Sequence, residues 1–205
     1  MPVRAASRTS EARFDWEDRS TWESALRGGA KAVFVVYLAD LGSQDAAPRP
    51  QELGELAAAQ GVERLVFQSG GGWPEAAAAD KAVGVADVVW TVLRPAWFSQ
   101  NFSEDLFLGS LKRGEVRLPA GEGREPFVDA RDVAEVAVAV LTEGGHAGQV
   151  YELAGPDPVS FREAAGQIAR ARPGHRYVAL TPERFESELL RVGVPPEFVA
   201  LELGR

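Results

Sequence analysis

From residue 32 to residue 93 the chain alternates apolar runs of strand length with helix-patterned segments. Ala32 to Leu38 (AVFVVYL) is apolar without interruption, Val62 to Gln68 is a second run, and Val88 to Leu93 is a third. Between the first two, Gln51 to Gln60 sets Leu53, Leu56 and Ala57 on one helical face and meets a stop at Gly61. Between the second and third, Pro74 stands where a first helical residue is favoured, and the Ala-rich stretch Glu75 to Val83 continues it. Uninterrupted apolar strands separated by helices build a parallel sheet with helices on both faces. The fold class is therefore α/β, and the run at Ala32 is expected to be buried on both faces.

The flanking segments carry their own signals. Pro2 to Ser7 reads as an edge strand, and Ser20-Thr21-Trp22-Glu23 as a capping box opening a helix that Gly28-Gly29 ends. Phe98 to Lys112 is expected to be helical, and Glu115 to Leu118 to be a short strand. Asp129 to Asp132 opens an amphipathic helix that turns Val133, Val136, Ala137, Val140 and Leu141 inward. Val150 to Leu153 and Tyr177 to Leu180 read as strands. Ser160 to Glu163 is a second capping box, and Thr181-Pro182 starts the last long helix, which Gly193 and Pro195-Pro196 end. This gives an α/β domain over 1–145 and a small C-terminal α+β lobe over 146–205, interleaved with 98–128.

One stretch is suited to chemistry. The third strand stops at Arg94-Pro95, and an aromatic, amide-bearing segment follows. In open α/β sheets ligands bind just beyond the carboxyl ends of strands. Trp97, Phe98, Gln100 and Asn101 therefore stand where a small-molecule pocket would be built. Other chemistries are disfavoured. A net charge of −8 argues against nucleic acid or an anionic membrane as partner. Without cysteine there is no disulfide, thiolate nucleophile or Cys-type zinc site. His146 and His175 lack neighbours at metal-ligand spacing, so no metal is expected. Met1 to Ser10 has no apolar leader core and the longest apolar runs are strand-sized, so the expected location is cytoplasmic, off the membrane. No G-x-S-x-G nucleophile elbow is present.

A set of segments then occurs in a telling order: Val3 to Arg8, Phe14-Asp15-Trp16, Arg64 to Ser69, Trp90 to Pro95 with Trp97-Phe98 and Asn101-Phe102, Phe127 to Ala134, and Tyr151 to Pro156. In this order the chain resembles the NmrA-like branch of the atypical short-chain dehydrogenases/reductases. The resemblance implies a Rossmann-like, doubly wound parallel sheet that binds NADP or NAD, with a small C-terminal substrate lobe. It implies cofactor contacts at Arg8, Asp15, Tyr37, Ser69 and Pro95, and substrate contacts at Trp97, Phe98 and Asn101. The implied activity is direct hydride transfer to a small quinone or enone-type acceptor; the alternatives are a non-catalytic ligand-binding or redox-sensing regulatory relative, or a truncated relative with no dinucleotide binding.

Two departures qualify that picture. The match opens at the second strand of such a fold, so the first β–α unit with its Gly-rich phosphate turn is expected to be absent, leaving an N-terminally truncated Rossmann-like sheet. Gly70-Gly71-Gly72 follows a later strand and is no substitute. A lost central strand leaves two neighbours without partners. The halves then close together, a partner segment fills the gap, or residues 1–20 are displaced. An exposed sheet edge would favour a homodimer. Second, no Tyr-x-x-x-Lys pair occurs, and Lys81 lies beside Asp80 rather than one turn after a tyrosine. The catalytic residues are thus unassigned. Trp97→Ala is expected to weaken ligand binding with little loss of fold.

Overall fold

Four parallel strands form the main sheet of the computed structural model, which describes residues 3–36, 48–70, 80, 84, 87–104, 107–194, 196 and 199. The strands are β3 (Ala32–Val36), β4 (Arg64–Gln68), β5 (Val89–Pro95) and β8 (Gln149–Leu153), adjacent in that order. In register, Phe34 lies beside Val66, Val66 beside Thr91, and Leu93 beside Tyr151. Side chains alternate between faces along a strand, so two cores result. On one face Val35, Leu65, Phe67 and Val92 pack with Trp22 and Leu26 of α1 (Trp22–Leu26) and Leu53 and Ala57 of α2 (Pro48–Ala59). On the other, Val66 and Leu93 pack with Ala137 and Val140, inward residues of the helix α4 (Ala130–Thr142). The parallel α/β reading and the inward face of that helix hold.

The N-terminal segment stays out of the main sheet. β1 (Ala6–Ser7) pairs in parallel only with β2 (Ala12–Arg13), a separate two-stranded ladder. Phe14, Trp16 and Trp22 pack against one another, Phe14 stacked on Trp22 and Trp16 edge-on to both, with centroids 5.0–6.0 Å apart, and hold the segment that follows β2 to the core. Among the described residues β1 and β2 form no ladder with the main sheet.

Two local expectations are corrected here. Ser20 and Glu23 do not form a capping box: α1 begins at Trp22, and its N-cap Thr21 makes no side-chain cap bond. The Asp18 carboxylate, a stronger acceptor than a hydroxyl, takes the Ser20 amide at 3.2 Å and its hydroxyl at 2.6 Å, winding residues 19–21 into a 3₁₀ turn. Nor is β3 buried on both faces. Phe34 and Val36 are 38% and 40% exposed, because no described helix covers that face at this edge of the sheet.

The chain divides into two compact units, Met1–Pro95 with Arg131–Leu153, and Ala96–Ala130 with Ala154–Arg205. In the second unit β6 (Glu115–Leu118) pairs in parallel with β10 (Arg176–Ala179), and β7 (Arg124–Glu125) antiparallel with β9 (Val159–Ser160). Its helices are α3 (Leu108–Leu111), α5 (Phe161–Ala171) and α6 (Pro182–Arg191). The Ser160 capping box forms in both directions. Phe98 to Lys112 is not one helix: a 3₁₀ turn, Ser99–Phe102, precedes the single turn of α3. The aromatic side chains there fold inward instead of following a helical stripe. Among the described residues no helix is long and apolar enough to cross a membrane.

An ion-pair network ties β6, β10 and α6. Arg117 holds Glu188 through two bonds of 2.9 and 2.6 Å and Glu115 through one of 2.7 Å, while Arg176 reaches Glu115 at 2.6 Å. The Arg117 hydrogen bond is the main cause that lowers both carboxyl pKa values below the ordinary 4.5. A carboxylate with a lowered folded pKa contributes stability that is full above its unfolded value and lost as pH falls through the folded one. Unfolding midpoints should therefore be flat above pH 4.5 and fall below it. In Arg117→Met the midpoint should drop at pH 7 and its acid slope should flatten. An unchanged acid slope in a folded variant would remove the network as its cause.

Candidate functional site

Among the described residues three buried side-chain polar atoms lack a hydrogen-bond partner: Ser69 Oγ and Asp80 Oδ1 in the first unit and Ser110 Oγ in the second. Beyond β4, Ser69 is 5% exposed; its amide donates to the Leu93 carbonyl at 2.9 Å, and its Oγ has no partner among the described residues. At the end of β5, Arg94 Nε donates to Asp80 Oδ2 at 2.6 Å and Nη1 to Glu152 Oε1 of β8 at 2.8 Å. Asp80 is 4% exposed, and its Oδ1 is also without a partner. Buried polar groups left unpaired are rare in native structures. The Glu152 bond is the main cause of the raised Arg94 pKa, so this guanidinium stays charged and can orient the Asp80 carboxylate.

The other first-unit candidates fare differently. Pro95 is buried and closes β5 beside Leu153. Arg8 is exposed in the turn between β1 and β2, with no partner among the described residues. That turn is tightened by Ser7 Oγ, which accepts the Ser10 amide at 3.1 Å, so Arg8 projects from a fixed loop. Asp15 builds a turn: its Oδ1 accepts the Glu17 amide at 3.1 Å and its carbonyl accepts the Trp22 indole at 2.7 Å. Tyr37 and Lys81 lie outside the described residues.

In the second unit the ring of Trp97 stacks on Phe107 at 5.9 Å and meets Phe161 edge-on at 5.7 Å. Phe102 and Phe127 complete the cluster around Phe161. Trp97 is half-buried and packs against this core, so the expectation that Trp97→Ala spares the fold is corrected: truncation removes a stacked ring. Phe98 bridges to Val128 and is half-buried. Gln100 is committed to structure, donating to Asp129 Oδ1 at 2.9 Å and accepting the Ala130 amide at 3.0 Å, the first residue of α4. Asn101 differs: its backbone is bonded, but its side-chain amide has no partner among the described residues.

No family model matches the chain. Curated relatives do. It is 33% identical over 202 residues to festuclavine synthase II of Penicillium roqueforti, covering 92% of this chain and 70% of the relative. The chain belongs to the NmrA-like, atypical short-chain dehydrogenase/reductase family. It is also 33% identical to the NAD(P)H azoreductase of Xenophilus azovorans over 199 residues, 88% of this chain and 65% of that one. Among solved structures, the NADPH complex of the quinone oxidoreductase QOR2 from Escherichia coli superposes with a TM-score of 0.72 at 26% identity, over 92% of this chain and 68% of QOR2.

A diphosphate needs a cradle of amide groups where a Gly-rich turn enters a helix N-terminus. Among the described residues no such turn lies beside β3. Ser69, with its unpaired hydroxyl, suits a ribose or carboxamide group. Sequence reasoning missed Arg94 as the partner of both Asp80 and Glu152. The available signal was an arginine ending a buried apolar strand, a costly place for a charge without a partner.

Proposed function

We propose that this family member supplies the nicotinamide and acceptor end of an NAD(P)H-dependent oxidoreductase site acting on a small quinone or enone-type molecule. The observation that carries the reading is Ser69 Oγ, buried and unpaired at the carboxyl end of β4. Homology to an NAD(P)H azoreductase and to an NADPH-bound quinone oxidoreductase supports it. In this reading Ser69, Pro95 and Tyr37 contact the nicotinamide half, and Arg8 and Asp15 the adenosine half. Trp97, Phe98 and Asn101 contact the acceptor. Trp97 and Phe98 offer apolar faces to a flat ring, and the free Asn101 amide can hydrogen-bond a carbonyl oxygen. The missing Tyr-x-x-x-Lys pair favours a second reading, a ligand-binding relative without turnover.

Titration with NADPH and NADH, followed by tryptophan fluorescence and by quinone-dependent loss of reduced cofactor, separates the two. Binding with turnover is expected. Ser69→Ala should weaken dinucleotide binding by roughly tenfold, the cost of one lost hydrogen bond in a buried site. Asn101→Ala should raise the acceptor KM and leave dinucleotide affinity unchanged. Binding without turnover selects the second reading, and absence of binding removes both.

A further inference from the structure

In the second unit His175 touches a backbone carbonyl oxygen with each of its ring nitrogens. Nδ1 lies 2.8 Å from the Arg172 carbonyl and Nε2 lies 3.0 Å from the Leu111 carbonyl. Arg172 is the C-cap of α5, and Leu111 is the last residue of α3. The half-buried ring therefore ties together two helix ends. A carbonyl oxygen can only accept. A neutral imidazole has one N–H donor and one bare nitrogen, which is also an acceptor. In the neutral ring, one of the two contacts sets lone pair against lone pair. The imidazolium carries N–H on both nitrogens, so the cation alone satisfies both carbonyls.

The surroundings act in both directions. Carbonyl groups at a helix C-terminus favour a cation. The titratable and charged groups on the elements around the ring are Lys112 and Arg113 after α3, Glu115 and Arg117 of β6, Arg170 and Arg172 at the end of α5, and Arg176 and Tyr177 of β10. Glu115 is already held by Arg117 and Arg176. The cations oppose a further positive charge, and the two carbonyls favour it.

The other end of α3 bears on the aromatic segment. Its N-cap, Phe107, stacks on Trp97 at 5.9 Å with the ring planes 5° apart, and the Phe107 amide donates to the Asn101 carbonyl at 3.0 Å. α3 is a single turn, so what fixes Leu111 also fixes Phe107. We infer that His175 is a proton-sensitive clamp on α3: the charged ring holds the helix end to the end of α5, and the neutral ring releases one of the two carbonyls and loosens the Phe107–Trp97 stack. A histidine changes charge between about pH 5 and pH 8. A bond made only by the cation is complete at the acid end of that window and lost toward the alkaline end. The Arg117 network does not interfere, since the pKa values of Glu115 and Glu188 are lowered below 4.5 and both stay ionised throughout. That the clamp tunes acceptor binding rests on the proposed function; the clamp itself does not.

The test uses the whole chain without dinucleotide, so its failure and the failure of the proposed function are distinguishable. The chain has two histidines, and His146→Gln assigns the imidazole signals in nitrogen-15 NMR. At about pH 5 both His175 N–H protons should be visible and protected from water. At about pH 8 one nitrogen should be bare. Over the same span the hydrogen-exchange protection factors of the Phe107 and Leu111 amides should fall at least threefold. His175→Leu should abolish that pH dependence. The readings on the unaltered protein stand even if this variant folds poorly. A His175 N–H open to water at the acid end overturns the inference. Protection factors that stay constant, or that fall equally in a folded His175→Leu variant, overturn it as well.

Discussion

Arg94→Leu should destabilise the first unit by about 3–5 kcal/mol, the usual cost of stranding one member of a buried ion pair. Asp80 is 4% exposed, and Arg94 Nε, at 2.6 Å, is the partner of its Oδ2. Its Oδ1 already lacks a partner, so nothing among the described residues can take over. Leucine would leave the carboxylate buried, unpaired and without hydrogen-bond donors. Two controls identify the cause. Glu152→Gln should cost under about 1 kcal/mol, because Glu152 is 62% exposed and water replaces its partner. The double variant Arg94→Leu with Asp80→Leu should recover much of the loss, since apolar replacements of both partners are often neutral. Urea midpoints at pH 7 measure all three. A double variant no better than Arg94→Leu would show that packing of the arginine stem, not the stranded charge, sets the cost.

The parts of the fold legible in the sequence were those set by short-range physics. Uninterrupted apolar runs and a period-3.6 pattern located β4, β5 and α4, and Ser160 with Glu163 announced the start of α5 correctly. The same logic failed at Ser20, where Asp18, two residues earlier, was the better acceptor. It failed again at β3, for a different reason. AVFVV reads as a strand buried on both faces, and the residues are right for that, but burial depends on what lies alongside. Phe34 and Val36 are exposed because neither a strand nor a helix is present beside them among the described residues. The pattern fits an environment that the described residues do not complete.

The candidate site was legible only in part, and for a similar reason. Ser69 and Trp97 could be placed from the positions of strand ends. Whether a side chain is spent on structure could not. Gln100 and Asn101 look alike in sequence, yet Gln100 anchors the first residue of α4 and Asn101 keeps its amide free. The Arg94–Asp80 pair joins residues 14 positions apart, and periodicity carries no information on such pairings.

Gly155→Ala is the second large effect. A Cβ at this position would lie 2.1 Å from the Phe127 carbonyl oxygen and 3.1 Å from its carbon. Both are backbone atoms, so no rotamer change can relieve the contact. Nor can the backbone retreat cheaply. The Gly155 amide donates to the Pro126 carbonyl at 2.8 Å, and the Val128 amide to the Trp97 carbonyl at 3.0 Å. The Phe127 ring is held between Phe102 and Phe161, each 5.3 Å away. Overpacking commonly costs about 1–3 kcal/mol, occasionally more. Here one methyl would have to break a backbone hydrogen bond or displace the aromatic core, so the loss should reach or exceed the upper end. Near-UV circular dichroism of the aromatic cluster should weaken along with the urea midpoint. Gly166→Ala supplies the contrast within the same unit. It lies in α5 with nothing within 4 Å of an added Cβ, and should stabilise by roughly 0.5–1 kcal/mol through helix propensity. If both alanines proved neutral, the close passage of residue 155 over Phe127 would not exist in solution.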